Sequence, residues 1–249
     1  MRTAHGTETR EYAQVQSLEL TAMRGALAKW LTGAMALTAA SSASASGGEH
    51  VIDDATVETP GGCHVESWVS LYGHGRGLLN LSPACTPRKI PRLEIGWALQ
   101  HSWDSGSLTT VGPSLKLNIR PAEAGIGLAL SASGLVDVKS GKIAAASLIA
   151  PLTIPIVDGV AVNLNGGLSY SLASSRHYAP FYGGQVQVQF ARDLSWIVEA
   201  FQRAHSPVGA QTGVRWSPGG GNVDFDIVLG RYIDGVNQHA ISFGVTLRS

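Results

Sequence analysis

Cys63 and Cys85 are the only cysteines in the chain. Two thiols with no histidine at ligand spacing point to one disulfide in an oxidising compartment rather than to a metal site. Serine and histidine neighbour each other at His101-Ser102, at His205-Ser206 and at Ser175 near His177. Nucleophilic catalysis needs a base oriented by a third group, and no motif supplies one. The glycines form no phosphate cradle between a strand and a helix. The remaining candidates are Glu94, Lys116, Glu199, Arg215, Asp224 and Asp226, with the amides Asn163, Asn165, Gln185 and Gln187. Each is set among apolar neighbours at alternate positions. Such spacing suits the lining of a narrow wet interior, where opposite charges answer one another across strands. No catalytic residue, metal ligand or cofactor is assigned.

The elements that position these groups are read most clearly in Val160–Leu172, VAVNLNGGLSYSL. Val160, Val162, Leu164, Leu168, Tyr170 and Leu172 share one face. Asn163, Asn165, Ser169 and Ser171 share the other. Side chains alternate across a strand with period two, so this is a strand with one apolar and one polar face. Strands of roughly ten residues, apolar outside and polar inside, are the signature of a transmembrane β-barrel.

From Cys63 onward twelve such segments are expected, over 63–72, 77–85, 91–103, 107–120, 124–135, 143–157, 159–172, 180–191, 193–204, 209–217, 222–232 and 239–248. Pro151 and Pro155 remove ladder donors, so the sixth is expected to be bulged or shortened. Connections after even-numbered strands look tight, as in Val157-Asp158-Gly159 and Arg192-Asp193. Several after odd-numbered strands look longer. The expected fold is therefore a single closed antiparallel transmembrane barrel of about 12 strands, with short periplasmic turns and longer outer loops. A turn at Gly73-His74-Gly75 centred on His74 places Cys63 opposite Cys85. A hairpin centred on Ser105 places Glu94 opposite Lys116. One centred on Pro207 places Glu199 opposite Arg215, and pairing Trp216 with Val223 places Arg215 opposite Asp224. Trp97, Trp103, Tyr170, Tyr182, Trp196, Phe225 and Phe243 are expected to face outward, some as interfacial girdles.

The chain has 249 residues with 18 basic and 18 acidic side chains, and only 14% of residues are charged. Without a cluster of Lys and Arg, nucleic acid is excluded as a partner. Arg24 and Lys29, the apolar stretch Trp30–Ala40 and the small residues Ala43-Ser44-Ala45 read as a secretory signal starting at Met23. Residues 1–45 are thus an N-terminal extension and signal peptide. Residues 46–62, polar and without periodicity, are a periplasmic arm or plug, and 63–249 are the barrel.

The export signal, the stretch DDATVETPGGCHVESWVS and the glycine-rich alternating strands resemble proteobacterial outer-membrane barrels grouped with phenol-degradation operons as transporters. The resemblance covers about 200 residues. It implies residence in the outer membrane of a Gram-negative bacterium, with outer-membrane lipid, a small solute and the barrel-assembly machinery as partners. Such barrels commonly end in an aromatic residue, whereas this chain ends Leu247-Arg248-Ser249. The functions expected are passive passage or binding of a small solute, then an outer-membrane lipid-modifying hydrolase, then a soluble periplasmic β-domain.

Overall fold

A strand whose backbone groups face lipid must pair on both edges, and closure is the arrangement that leaves no edge. The computed structural model describes residues 49–103, 106–174, 177–203 and 206–249. The segment 1–45 read above as an extension and export signal, Ser175 and His205 lie outside these. Twelve strands follow in chain order: β1 (Cys63–Tyr72), β2 (Gly77–Cys85), β3 (Leu93–Trp103), β4 (Ser107–Arg120), β5 (Gly127–Asp137), β6 (Ile143–Val157), β7 (Val160–Ser171), β8 (Tyr178–Ala191), β9 (Leu194–Arg203), β10 (Gly209–Trp216), β11 (Val223–Arg231) and β12 (Ala240–Arg248). Each pairs antiparallel with the next, and β1 pairs with β12 to close the barrel. Both ends of the barrel domain lie at the same rim, which we call the terminal rim; the other is the distal rim.

The alternation sorts side chains to two surroundings. Trp97, Leu115, Leu164, Tyr182, Trp196, Ile227 and Phe243 stand exposed on the outer wall. Their strand neighbours Lys116, Asn163, Asn165 and Asp226 are buried inside it. This inverts the plan of a water-soluble barrel, whose apolar residues fill the interior. An apolar cluster inside the barrel joins Phe181, Phe201, Ile233 and Ala240 to Ile52 of the N-terminal segment.

Two hairpin registers agree with those read from turn chemistry. Cys63 pairs with Cys85, and the two form a disulfide. His74 takes a left-handed φ of 65° in the turn between β1 and β2. Glu94 pairs with Lys116.

Two registers differ. Glu199 lies opposite Gln211 rather than Arg215. The chain past Pro207 pairs only from Gly209, which centres that hairpin earlier than the proline. Arg215 lies opposite Asp226 rather than Asp224. Gly219, Gly220 and Gly221 all take positive φ and coil the turn. Trp216 therefore pairs with Phe225 and not with Val223.

β6 keeps its full length despite its prolines, with a register shift between Pro155 and Val157. The connection 86–92 is not tight, because Thr86 binds back to Gly62: its amide donates to the Gly62 carbonyl at 3.0 Å.

Candidate functional site: the occupied lumen

The inward faces of the strands converge on residues 49–58, which run inside the barrel. Glu49, Ile52, Asp54, Ala55 and Thr56 are all buried there. This segment has no ladder of its own, so its backbone groups must find partners on the wall. The Val51 amide donates to Glu199 at 2.7 Å, the Asp53 amide to Asn165 at 2.9 Å, and the Ala55 amide to Thr153 at 2.8 Å. The Glu58 amide donates to Glu94 at 3.0 Å. In the other direction, Asn165, Gln185 and Gln211 donate to the carbonyls of Asp53, Ile52 and Glu49 at 2.7, 3.2 and 2.9 Å. Asn118 donates to the Ala55 carbonyl. An amide side chain both donates and accepts, which is why Asn165 can hold both backbone groups of Asp53.

The amides also join one another. Thr153 donates to Asn163, Asn163 donates to Gln185, and Gln185 donates to Glu199, each at 2.8 Å. Strands β6, β7, β8 and β9 thus present one connected polar wall. Gln187, one inward position nearer the terminal rim on β8, is half-buried and paired with Ile197.

The charges are distributed between wall and arm. Lys116 Nζ lies 2.9 Å from Asp53 and 3.4 Å from Asp54. Its register partner Glu94 instead accepts the Glu58 amide. Arg215 grips Asp226 with two parallel hydrogen bonds, Nε to Oδ1 at 2.8 Å and Nη2 to Oδ2 at 3.1 Å. This fork geometry is that of a strong, oriented Arg–carboxylate pair. Asp224 meets Arg248 at 2.6 Å, with Arg215 further off at 4.0 Å. Near the terminal rim Glu58 is held by His64 at 3.2 Å and Arg248 at 3.1 Å. The hydrogen bond to His64 holds the Glu58 carboxyl below the usual carboxylate range, against an opposing effect of partial burial.

Deeper in the lumen, His50 sits among carboxylates. Its Nε2 is 3.8 Å from Glu49 and 3.7 Å from Asp226, and its Nδ1 is 3.7 Å from Glu199. The glycine at 244 makes room here, since a Cβ at that position would collide with the Glu49 carboxylate. Burial, then Asp226, push the Glu49 carboxyl up to about 7. For His50, burial opposes the charged ring, but Asp226 and Glu199 outweigh it and raise the imidazole to about 9.

Glu94, Lys116, Asn163, Asn165, Gln185, Glu199, Arg215, Asp224 and Asp226 therefore all lie within the barrel, brought together largely through the arm. Asn118 shares the polar face of Lys116 that spacing assigns to β4, whereas sequence reasoning missed Thr153, opposite Asn163, and Gln211, on the inward parity of Arg215. It also missed Glu49, His50, Asp53 and Glu58, whose segment carries no periodic signal. His101 and His177 are engaged elsewhere. His101 Nδ1 contacts Thr109 at 2.9 Å, and His177 Nδ1 contacts the Ser171 carbonyl at 3.2 Å.

Among solved structures, the fold is similar to the KdgM porin, with a TM-score of 0.58 and 9% identity over 74% of this chain and 98% of that one. The KdgM porin in complex with disordered oligogalacturonate gives 0.56, also at 9% identity over 74% and 98%. The NanC porin gives 0.55 at 8% identity over the same shares. At such identity the likeness is one of fold. No curated protein matches the sequence. A family model described as "Uncharacterised conserved protein UCP029691" matches residues 34–249, and the chain belongs to that family.

Proposed function

We propose that this protein spans the outer membrane of a Gram-negative bacterium as a porin-like barrel, closed at rest by its own N-terminal arm, and passes a small polar solute when the arm withdraws. The observation that carries this is the inverted barrel: apolar side chains cover the outside while charged and amide side chains fill the inside. Only a lipid surrounding makes that arrangement favourable, because each exposed apolar residue would otherwise be left in water. The likeness in fold to the KdgM and NanC porins supports the same reading.

The arm supports the choice of solute class. Asn118, Asn165, Gln185 and Gln211 bind its carbonyls, and Thr153, Asn165, Glu94 and Glu199 bind its amides. Once released, these groups offer donors and acceptors to a hydroxyl- or amide-bearing solute. The outward residues Ile241, Phe243, Val245 and Leu247 of β12 offer the assembly machinery its apolar face. The contacts of His101 and His177 give no support to a hydrolase.

Membrane fractionation and planar-bilayer conductance test the proposal. The wild-type barrel should sediment with outer membranes and conduct weakly. A variant lacking residues 49–58 should conduct at least about tenfold more. Recovery in the soluble periplasm would overturn the membrane reading. Equal, negligible conductance of both forms would overturn passage.

A further inference from the structure

His50, Glu49 and Asp226 bring one ring nitrogen and two carboxylates to a single point in the lumen, their ligand atoms all within 4.8 Å of one another. Two features separate this group from an ordinary ion-pair network. First, its atoms do not touch. An imidazole that simply paired with carboxylates would close to about 2.7–2.9 Å. Here Nε2 stands 3.8 Å from Glu49 and 3.7 Å from Asp226. Ligands about 2.0–2.2 Å from a tetrahedral ion stand roughly 3.3–3.6 Å apart, so these separations are close to those around a bound cation. Second, among the described residues its buried polar atoms have no hydrogen-bond partner: both carboxylate oxygens of Glu49 and both ring nitrogens of His50 are buried without one. Glu49 is 5% exposed and the His50 side chain 1%. A buried, unanswered carboxylate is costly, so the natural expectation is a group that answers it.

The surroundings fit. Arg215 fixes Asp226 by its fork, one hydrogen bond to each carboxylate oxygen. Glu199 faces Nδ1 from 3.7 Å, the side from which a carboxylate orients a metal-bound histidine. Arg248 meets Asp224. Among the described residues, Glu49, Glu199 and Asp226 surround Arg215 and the His50 ring, a surplus of negative charge that a divalent cation taking the place of the ring proton would balance. Mixed nitrogen and carboxylate ligands suit Zn²⁺ and its first-row neighbours.

We propose that Glu49, His50 and Asp226 form a site for a divalent transition-metal ion, which ties the arm to the wall of β11. Two ligands come from the arm and one from a strand, so the ion would act as a clip on the plug. The site rests on its own geometry, and the test is independent of conduction.

The purified, chelator-treated barrel in detergent is titrated with Zn²⁺ by calorimetry and with Co²⁺ by visible absorption. One equivalent should bind. Glu49→Gln and His50→Ala should each weaken binding at least tenfold, with the barrel's heat-resistant mobility in gels retained. His101→Ala, whose side chain contacts Thr109 and not the arm, should leave binding unchanged. Hydrogen exchange of the arm amides should slow at least tenfold with Zn²⁺ present. Absence of stoichiometric binding to the wild type would overturn the site, as would binding that survives in Glu49→Gln and His50→Ala or disappears in His101→Ala. Stoichiometric binding with unchanged arm exchange would overturn the clip.

Discussion

The Glu199 carboxylate on β9 accepts the backbone amide of Val51 at 2.7 Å, so a charge buried in the wall is answered by the arm. The Ile52 amide approaches the other oxygen at 3.4 Å, and Gln185 reaches that oxygen at 2.8 Å. Removing an acceptor from a buried donor leaves a cost of about 1–3 kcal/mol. Glu199→Gln should therefore loosen the arm while the barrel stays assembled. Hydrogen exchange at Val51 and Ile52 should accelerate about tenfold or more. Unchanged protection would mean that the arm is held by its other contacts alone.

The two faces of β7 respond differently to charge. Leu164→Arg places a guanidinium on the outer wall and should cost about 2–4 kcal/mol near the bilayer midplane. By parity alone, Asn163→Arg would be harmless in a polar lumen. The lumen is full at that level, however: Asn163 is 2% exposed and bonded to Thr153 and Gln185. Asn163→Arg should therefore leave an assembled barrel with a displaced arm. Leu164→Arg should lower the yield of assembled barrel in membranes. Equal yields of the two variants would overturn the facing assignment.

The legibility of this molecule divides along its periodic and aperiodic parts. Strand identity and facing come from period two, which a one-residue slip would reverse, so Leu164 and Asn163 could be assigned from spacing. The Cys63–Cys85 register followed because the turn at His74 is short and nearly symmetric. The Arg215 register did not follow, because three left-handed glycines consume chain in a way that spacing cannot reveal. The arm was the hardest part. Many of its contacts are backbone amides and carbonyls meeting wall side chains, which do not depend on the residue type at the arm position. Its side-chain contacts come from a segment with no periodicity to set their register. Lys116 illustrates this. Its strand register was legible, but its partners Asp53 and Asp54 were not.

The disulfide closes the first hairpin at the terminal rim, where the arm enters. Its loop spans 22 residues of sequence separation. Cross-linking a loop of this order stabilises by roughly 3 kcal/mol in the chain-entropy account. Cys63→Ser with Cys85→Ser should lower the urea midpoint of the detergent-folded barrel accordingly. Midpoints that match with and without reductant in the wild type would show that the bond adds nothing to stability.

Arm docking at the terminal rim should depend on acid. Glu58 faces His64 and Arg248, with Glu66 and Glu94 close to the same imidazole. The hydrogen bond to His64 lowers the docked carboxyl below its ordinary 4.5. A depressed acid stabilises the docked state fully above its undocked value, and that contribution is lost as pH falls through the docked value. Protection factors at residues 55–58 should therefore hold at pH 6 and fall below about pH 4.5. Glu58→Gln should start from lower protection and lack this step. A wild-type profile identical to that of Glu58→Gln would remove Glu58 as the source.

Lys116 and Asp53 give the most direct measure of how a wall charge holds the arm. Nζ lies 2.9 Å from Asp53, whose side chain is 34% exposed while that of Lys116 is 8% exposed. A partly exposed pair is screened, so its net coupling is smaller than the short distance implies. Asp54, 3.4 Å away and as buried as the lysine, would keep part of the attraction when Asp53 is neutralised. Single substitutions therefore mix two effects, and a double-mutant cycle separates them. Lys116→Met should loosen the arm most, because it leaves Asp53 and Asp54 together without their cation. Asp53→Asn should loosen it less. The cycle should return a coupling of about 0.5–1.5 kcal/mol, read from arm protection factors. Repeating it against Asp54→Asn should return a second coupling. If both couplings are zero within error, Lys116 serves the barrel wall alone and the arm is held by its backbone hydrogen bonds.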